Sequence, residues 1–94
     1  TAQEAQAIGL VNQVTEDDRG SLMAAAEEMA RQIMAKGPVA VTMAKMAINL
    51  GYETDINTGL MIERLAQTIA FSTEDRKEGT AAFLEKRPAR FKGR

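Results

Sequence analysis

The end of the chain, "GTAAFLEKRPARFKGR", combines basic and aromatic side chains that suit an anionic, partly aromatic ligand. Its last nine residues hold no acidic side chain and five basic ones, which are Lys86, Arg87, Arg90, Lys92 and Arg94. Phe83 and Phe91 lie beside them. Basic side chains make charge-assisted hydrogen bonds to phosphate, and an aromatic face suits a nucleobase. The alternative interpretation is a frayed, solvated terminus.

Candidate catalytic groups are sparse in the rest of the sequence. Histidine and cysteine are absent, which excludes a disulfide scaffold, a cysteine zinc site and a thiol nucleophile, and removes the commonest general base. No HExxH, P-loop or GxGxxG motif occurs. Three acidic pairs are interpreted as solvated acids or as acids that complement a helix dipole: Asp17/Asp18, Glu27/Glu28 and Glu74/Asp75. We therefore expect no catalytic residue and no metal site within these 94 residues.

The composition is that of one small folded domain. The chain has 94 residues, a formal net charge of -1 and 45% hydrophobic residues, so it lacks the positive field of a nucleic-acid-binding protein. No apolar run approaches the roughly 18–20 residues that span a bilayer, and no signal peptide is visible. We expect an intracellular, non-secreted protein with neither a nucleic acid nor a membrane as partner.

The beginning of the sequence predicts a segment of a longer architecture. The first residue is Thr1 rather than methionine, and "TAQE" has the pattern of a capping box, in which Thr1 and Glu4 satisfy each other's backbone N–H groups. A chain that opens directly on a helix cap is expected to be a fragment. Trimming of an initiator methionine is the alternative.

Hydrophobic periodicity, together with residues that typically start or stop helices, predicts an all-α fold of four to five short helices. The first helix is expected to stop at Gly9, and the second to be capped by Thr15 with Asp18 and to end at Gly37-Pro38. "LVNQV" alternates like a strand but is too short and isolated to build a sheet. The third helix is expected to start at Pro38 and stop at Gly51.

The remaining two helices are expected after residue 54. The fourth begins at Asp55 as N-cap and contains Gly59, which predicts close packing or a small irregularity. The last is capped by Ser72 or Thr73 and is interrupted near Gly79. Together the helices carry more apolar surface than 94 residues easily cover, so we expect part of it to pack against another domain or subunit. A self-contained bundle is the alternative.

Three segments resemble the enoyl-CoA hydratase (crotonase) family, in order and over the whole length. "AQEAQAIGLVNQV" resembles the segment that follows the family's catalytic core, and "GPVAVTMAKMAIN" resembles a "P-x-A-V-x-x-x-K-x-x-x-N" helix. "TGLMIERLAQTIAFSTEDRKEGTAAFLEKRPARFKGR" is very similar to the family's C-terminal signature, "TEDxxEGxxAFLEKRxPxFxG".

The resemblance implies that residues 1–94 are the C-terminal helical trimerisation domain of a crotonase-family protein. The N-terminal ββα spiral, with its oxyanion hole and paired glutamates, has no counterpart in this sequence. The parent would be a lyase that reversibly hydrates a 2-enoyl-CoA, and the segment alone would be inactive. The implied partners are an acyl-CoA, whose coenzyme A belongs to the substrate rather than being a separate cofactor, and further copies in a trimer or dimer of trimers. The implied location is the bacterial cytoplasm or the mitochondrial matrix.

The resemblance assigns coenzyme A binding to Phe83 and Lys86, the phenylalanine and lysine of the "AFLEKR" motif. Lys86 lies three residues after Phe83, so on a helix the two share one face and can approach one ligand. Three alternatives stay open. The parent could be an isomerase or another CoA-thioester enzyme, the chain could act only as a non-catalytic oligomerisation module, or it could be a bundle unrelated to coenzyme A.

Overall fold

The computed structural model describes every residue from Thr1 to Arg94, and these residues form five α-helices and no strand. The helices are α1 (Ala2–Ala7), α2 (Arg19–Met34), α3 (Pro38–Tyr52), α4 (Ile56–Ser72) and α5 (Glu74–Leu84). The all-α prediction is confirmed, and "LVNQV" contains no strand. The chain divides into two compact units, Thr1–Arg31 and Gln32–Arg94.

The first unit is organised by local caps. The Thr1 hydroxyl accepts from the Glu4 N–H at 3.1 Å, and the Glu4 carboxylate binds the terminal ammonium at 2.5 Å, so the predicted capping box is present. Gly9 follows α1 with φ of 75°, as expected for a left-handed residue after a helix. The second helix differs in its cap, because the Asp18 carboxylate accepts from the Ser21 N–H at 2.9 Å while Thr15 lies outside the first turn.

The second unit is built around the adjoining helices α3 and α4. Pro38 occupies the first turn of α3, where its missing N–H costs nothing. The Asp55 carboxylate caps α4 by accepting from the N–H groups of Asn57 and Thr58 at 3.0 and 3.2 Å. The predicted stop at Gly51 is wrong by one residue, since α3 continues to Tyr52. A Cβ on Gly59 would lie 3.8 Å from the Gly51 Cα, so these glycines mark where the two helices approach closely.

Helix α5 starts at the predicted cap and runs without a break. The Thr73 hydroxyl accepts from the Arg76 N–H at 3.1 Å. The predicted interruption at Gly79 is wrong, because this glycine lies inside a continuous helix. Its role is steric and concerns the residues that follow the helix.

The buried core of the chain is very small. Ala66 and Ala82 are the only buried apolar side chains, and large apolar residues stay exposed on every one of the longer helices. None of the five helices combines the length and apolar character needed to cross a membrane. The expected surplus of uncovered apolar surface is therefore present.

Candidate functional site

A buried carboxylate folds the C-terminal tail, residues 86–94, back along α5. Asp75 is only 6% exposed, and its two oxygens accept from the N–H groups of Lys92 at 2.6 Å and Gly93 at 2.7 Å. The Asp75 N–H in turn donates to the Arg94 carbonyl at 3.1 Å. The interpretation of Asp75 as a solvated acid is therefore wrong, whereas its place in the first turn of α5 fits the alternative of an acid that complements the helix dipole. Its partner in the sequence pair, Glu74, is exposed and contacts Arg94 at 3.2 Å.

Glu78 makes the second anchor, three residues further along the same helix. Its carboxylate accepts from both terminal nitrogens of Arg87, at 2.6 and 3.0 Å, and from the Arg90 N–H at 2.8 Å. The hydrogen bond from Arg87, followed by that from the Arg90 backbone, lowers the pKa of Glu78 to about 2. Arg87 forms ion pairs with both Glu78 and Glu85, so its side chain does not belong to a free basic cluster.

Phe91 packs its ring into a slot made by glycines. A Cβ on Gly79 would lie 3.3 Å from the nearest ring carbon, which is closer than a real side chain usually sits. A Cβ on Gly37 would lie 3.8 Å from the same ring. Gly79 is therefore needed inside α5 because the helix surface must stay flat beneath Phe91. The tail is an ordered part of the second unit rather than a frayed end.

The ordered tail decides which basic groups stay available to a ligand. Arg87 and Arg94 pair with carboxylates, whereas the side chains of Lys86, Arg90 and Lys92 take part in no ion pair of the structure. Phe91 is used for packing, while Phe83 is 82% exposed. The structure thus leaves Phe83 and Lys86, the two predicted coenzyme A contacts, exposed at the end of α5.

Lys86 occupies an unusual backbone position. Its φ is 53°, and it is the only residue other than glycine with a positive φ. Its N–H donates to the Phe83 carbonyl at 3.3 Å, and the Arg87 N–H donates to the Ala82 carbonyl at 3.0 Å. This pair of bonds is a Schellman motif with Lys86 at the position that glycine usually takes. Because α5 ends at Leu84, the helical spacing expected for Phe83 and Lys86 does not apply.

The α3–α4 pair carries a second feature, an open groove of about 810 Å³. Its walls are largely alanine, glycine, methionine and isoleucine, and Tyr52 at one end is 87% exposed. Small residues along both helices leave room for side chains from another element. The only acidic side chain in the lining, Glu63, is exposed and has no second carboxylate, lysine or arginine beside it in the groove.

The other acidic pairs have structural partners. Asp18 caps α2, and Glu27 and Glu28 pair with Arg31 at 3.1 and 3.5 Å. No group of three potential metal-ligating side chains is close enough to hold a metal ion. The role of Asp75 was missed because its partners are backbone groups of the tail, and that of Glu78 because its partners, the Arg87 side chain and the Arg90 N–H, lie 9 and 12 residues away. The available signal was that the helix face through Asp75, Glu78, Gly79 and Ala82 holds small and acidic residues instead of large apolar ones.

Solved structures define the class of fold. The chain superposes on the crystal structure of an enoyl-CoA hydratase from Bacillus anthracis with a TM-score of 0.91 and 43% identity, over 99% of this chain and 35% of that one. An enoyl-CoA hydratase/isomerase from Mycobacterium paratuberculosis gives the same TM-score at 31% identity, over 100% and 36% of the two chains. The five helices are thus a helical segment of the crotonase fold.

The family model described as enoyl-CoA hydratase/isomerase matches residues 1–94, and the chain belongs to that family. It is 54% identical over 93 residues to a Bacillus subtilis protein named as an enoyl-CoA hydratase/isomerase, covering 99% of this chain and 35% of that protein. It is 47% identical over 93 residues to mitochondrial methylglutaconyl-CoA hydratase of Mus musculus, covering 97% of this chain and 30% of that protein. The chain spans about a third of the length of these relatives.

Proposed function

We propose that residues 1–94 are the C-terminal helical domain of a longer enoyl-CoA hydratase. The domain packs against the catalytic domain and neighbouring subunits, and it helps to cover the acyl-CoA. The parent enzyme adds water reversibly across the C2–C3 double bond of a 2-enoyl-CoA, in the bacterial cytoplasm or the mitochondrial matrix. The names of several relatives as hydratases support the reaction, and the third of their length that the chain spans supports its place as one domain.

The observation that carries the packing role is the uncovered apolar surface. Ile48 on α3 and Leu65 on α4 are over half exposed, and Leu60 and Ile69 on α4 also remain partly uncovered. Exposed apolar side chains on two adjoining helices are typical of a protein–protein contact and are suited to burial against protein.

The coenzyme A role rests on the exposed pair at the end of α5. The nucleotide end of coenzyme A presents phosphates and an adenine. The unpaired ammonium of Lys86 suits the phosphates, and the exposed ring of Phe83 suits the adenine. This contact is remote from the reacting carbons, so it strengthens binding of substrate and transition state alike. No cofactor is required beyond the coenzyme A of the substrate.

Sedimentation equilibrium of the full-length polypeptide tests the packing role. We expect a trimer or a dimer of trimers for the unmodified protein. Ile48→Asp places a charge on the exposed apolar face of α3 and should shift the protein to smaller species. Asn49→Asp changes the charge of the next residue on the same helix and serves as the matched control. If the Ile48→Asp protein is folded and its assembly has the same mass as that of the unmodified protein, this face of α3 is not part of the interface.

A second reaction class, isomerisation of the enoyl double bond, is the alternative within the family. The matching family description itself includes isomerases, which is the observation in its favour. Incubating the full-length enzyme with a 3-enoyl-CoA and with a 2-enoyl-CoA separates the two. Faster formation of 2-enoyl-CoA than of 3-hydroxyacyl-CoA would favour the isomerase.

A further inference from the structure

The residues on both sides of the left-handed Lys86 are tied together by the side chains of Glu78 and Arg87. Arg87, the next residue, places its two terminal nitrogens on the two oxygens of Glu78. Arg90, three residues further on, donates its backbone N–H to the same carboxylate at 2.8 Å. The remaining guanidinium donor of Arg87, Nε, contacts Glu85 on the other side of Lys86 at 2.5 Å. Three residues near Lys86 are therefore tied to one another through Glu78 and Arg87.

This arrangement holds a conformation that Lys86 would otherwise seldom adopt. An L-residue in the left-handed helical region is disfavoured by a factor of about 5 to 30 relative to the right-handed region. The end of α1 shows the unstrained version of the same turn, in which Gly9 takes the equivalent position with φ of 75°. A lysine at this position adds no stability over glycine, and its ammonium has no partner in the chain.

We infer that Glu78 and Arg87 are positioning residues, which fix Lys86 in the left-handed conformation and thereby place its ammonium for the phosphates of coenzyme A. This inference rests on the proposed coenzyme A contact of Lys86. Neither Glu78 nor Arg87 needs to touch the ligand, because each is already occupied by partners within the chain. When the Glu78–Arg87 contact is lost, the turn at Lys86 can relax and the ammonium leaves its position. Substrate binding weakens while the chemical step is unaffected.

The test uses the full-length enzyme with crotonyl-CoA. Glu78→Gln should raise KM about 2- to 10-fold and leave kcat within about twofold, since only a remote, partly screened contact is disturbed. Arg87→Lys keeps the charge but loses the two-point contact, and it should give a smaller rise. Glu74→Gln is the matched control, because it neutralises an exposed acid of the same helix that pairs with Arg94. It should leave KM unchanged.

A double variant shows whether Glu78 acts through Lys86. Lys86→Ala alone should raise KM, and adding Glu78→Gln to it should have no further effect. If Lys86→Ala raises KM but Glu78→Gln does not, or if their effects multiply, the positioning role is refuted while the coenzyme A contact stands. If Lys86→Ala leaves KM unchanged, both are refuted. Should Glu78→Gln fail to fold, Arg87→Lys carries the same comparison in both backgrounds.

Discussion

Replacing Lys86 with glycine should raise the free energy of unfolding of the protein and at the same time weaken its binding of the acyl-CoA substrate. The two effects have separate origins in the structure. The stability change comes from the backbone, because Lys86 is a side-chain-bearing residue with φ of 53°. The binding change comes from the side chain, because its ammonium is exposed and unpaired.

The stability change is the difference between two known costs. A left-handed conformation costs an L-residue about 1–2 kcal/mol, which glycine does not incur. Glycine loses more backbone entropy on folding, which offsets about 0.5–1 kcal/mol. The net gain lies between about 0 and 1.5 kcal/mol, with a central value of about 0.75 kcal/mol, which at a slope of about 2 kcal/mol per M raises the urea midpoint by about 0.4 M. Losing a screened lysine–phosphate contact should meanwhile raise KM about 2- to 12-fold.

Urea unfolding and steady-state hydration of crotonyl-CoA by the full-length enzyme measure the two effects. Lys86→Ala is the matched control, because it removes the same ammonium but keeps the strained backbone, so KM should rise without the gain in stability. A Lys86→Gly protein that is no more stable than Lys86→Ala would refute the strain argument. A Lys86→Gly protein with an unchanged KM would refute the ligand contact.

Three further predictions concern the tail and the chain as a whole. Gly79→Ala should cost about 1 kcal/mol in the native protein, because its Cβ presses on the Phe91 ring, but should become neutral or stabilising in a Phe91→Ala background; additive effects in urea unfolding would contradict this. The folded pKa of Glu78 lies below the unfolded value of 4.5, so its stabilising effect is complete above that value and is lost as pH falls toward 2; carboxyl NMR should find it titrating near 2, and should find a higher pKa in Arg87→Ala that still lies below the unfolded value, because the Arg90 N–H continues to donate. The 94-residue chain alone should self-associate and should not hydrate crotonyl-CoA; a folded monomer in sedimentation, or protein-proportional loss of enoyl absorbance, would oppose these expectations.

Local chemistry made much of the fold predictable. The Thr1 capping box, Pro38 at the start of α3 and the Asp55 cap each satisfy backbone groups within a few residues, so their sequence patterns are short and specific. Gly51 was misread as a helix end, and Gly79 as an interruption of the last helix, because glycine is a poor helix former. In the folded chain both remain helical; Gly79 leaves room for the Phe91 ring, and the Gly51 Cα is the atom that a Cβ on Gly59 would meet at 3.8 Å.

The tail anchors could not be predicted from local pattern. The partners of Asp75 lie 17 and 18 residues away, and one partner of Glu78 lies 12 residues away. Those partners are backbone N–H groups, which every residue except proline carries, so no sequence signature marks them. Phe83 and Lys86 came from the family resemblance, and their role as coenzyme A contacts stays a prediction.

A crystal structure of the full-length protein with a bound acyl-CoA tests the central claim most directly. We expect the exposed face of α3 and α4 to be buried against protein. We also expect the Lys86 ammonium within about 3.2 Å of a coenzyme A phosphate oxygen, the range of a direct hydrogen bond, with Phe83 beside the adenine. An acyl-CoA bound with Lys86 and Phe83 both in solvent, and the α3–α4 groove still open, would contradict the account.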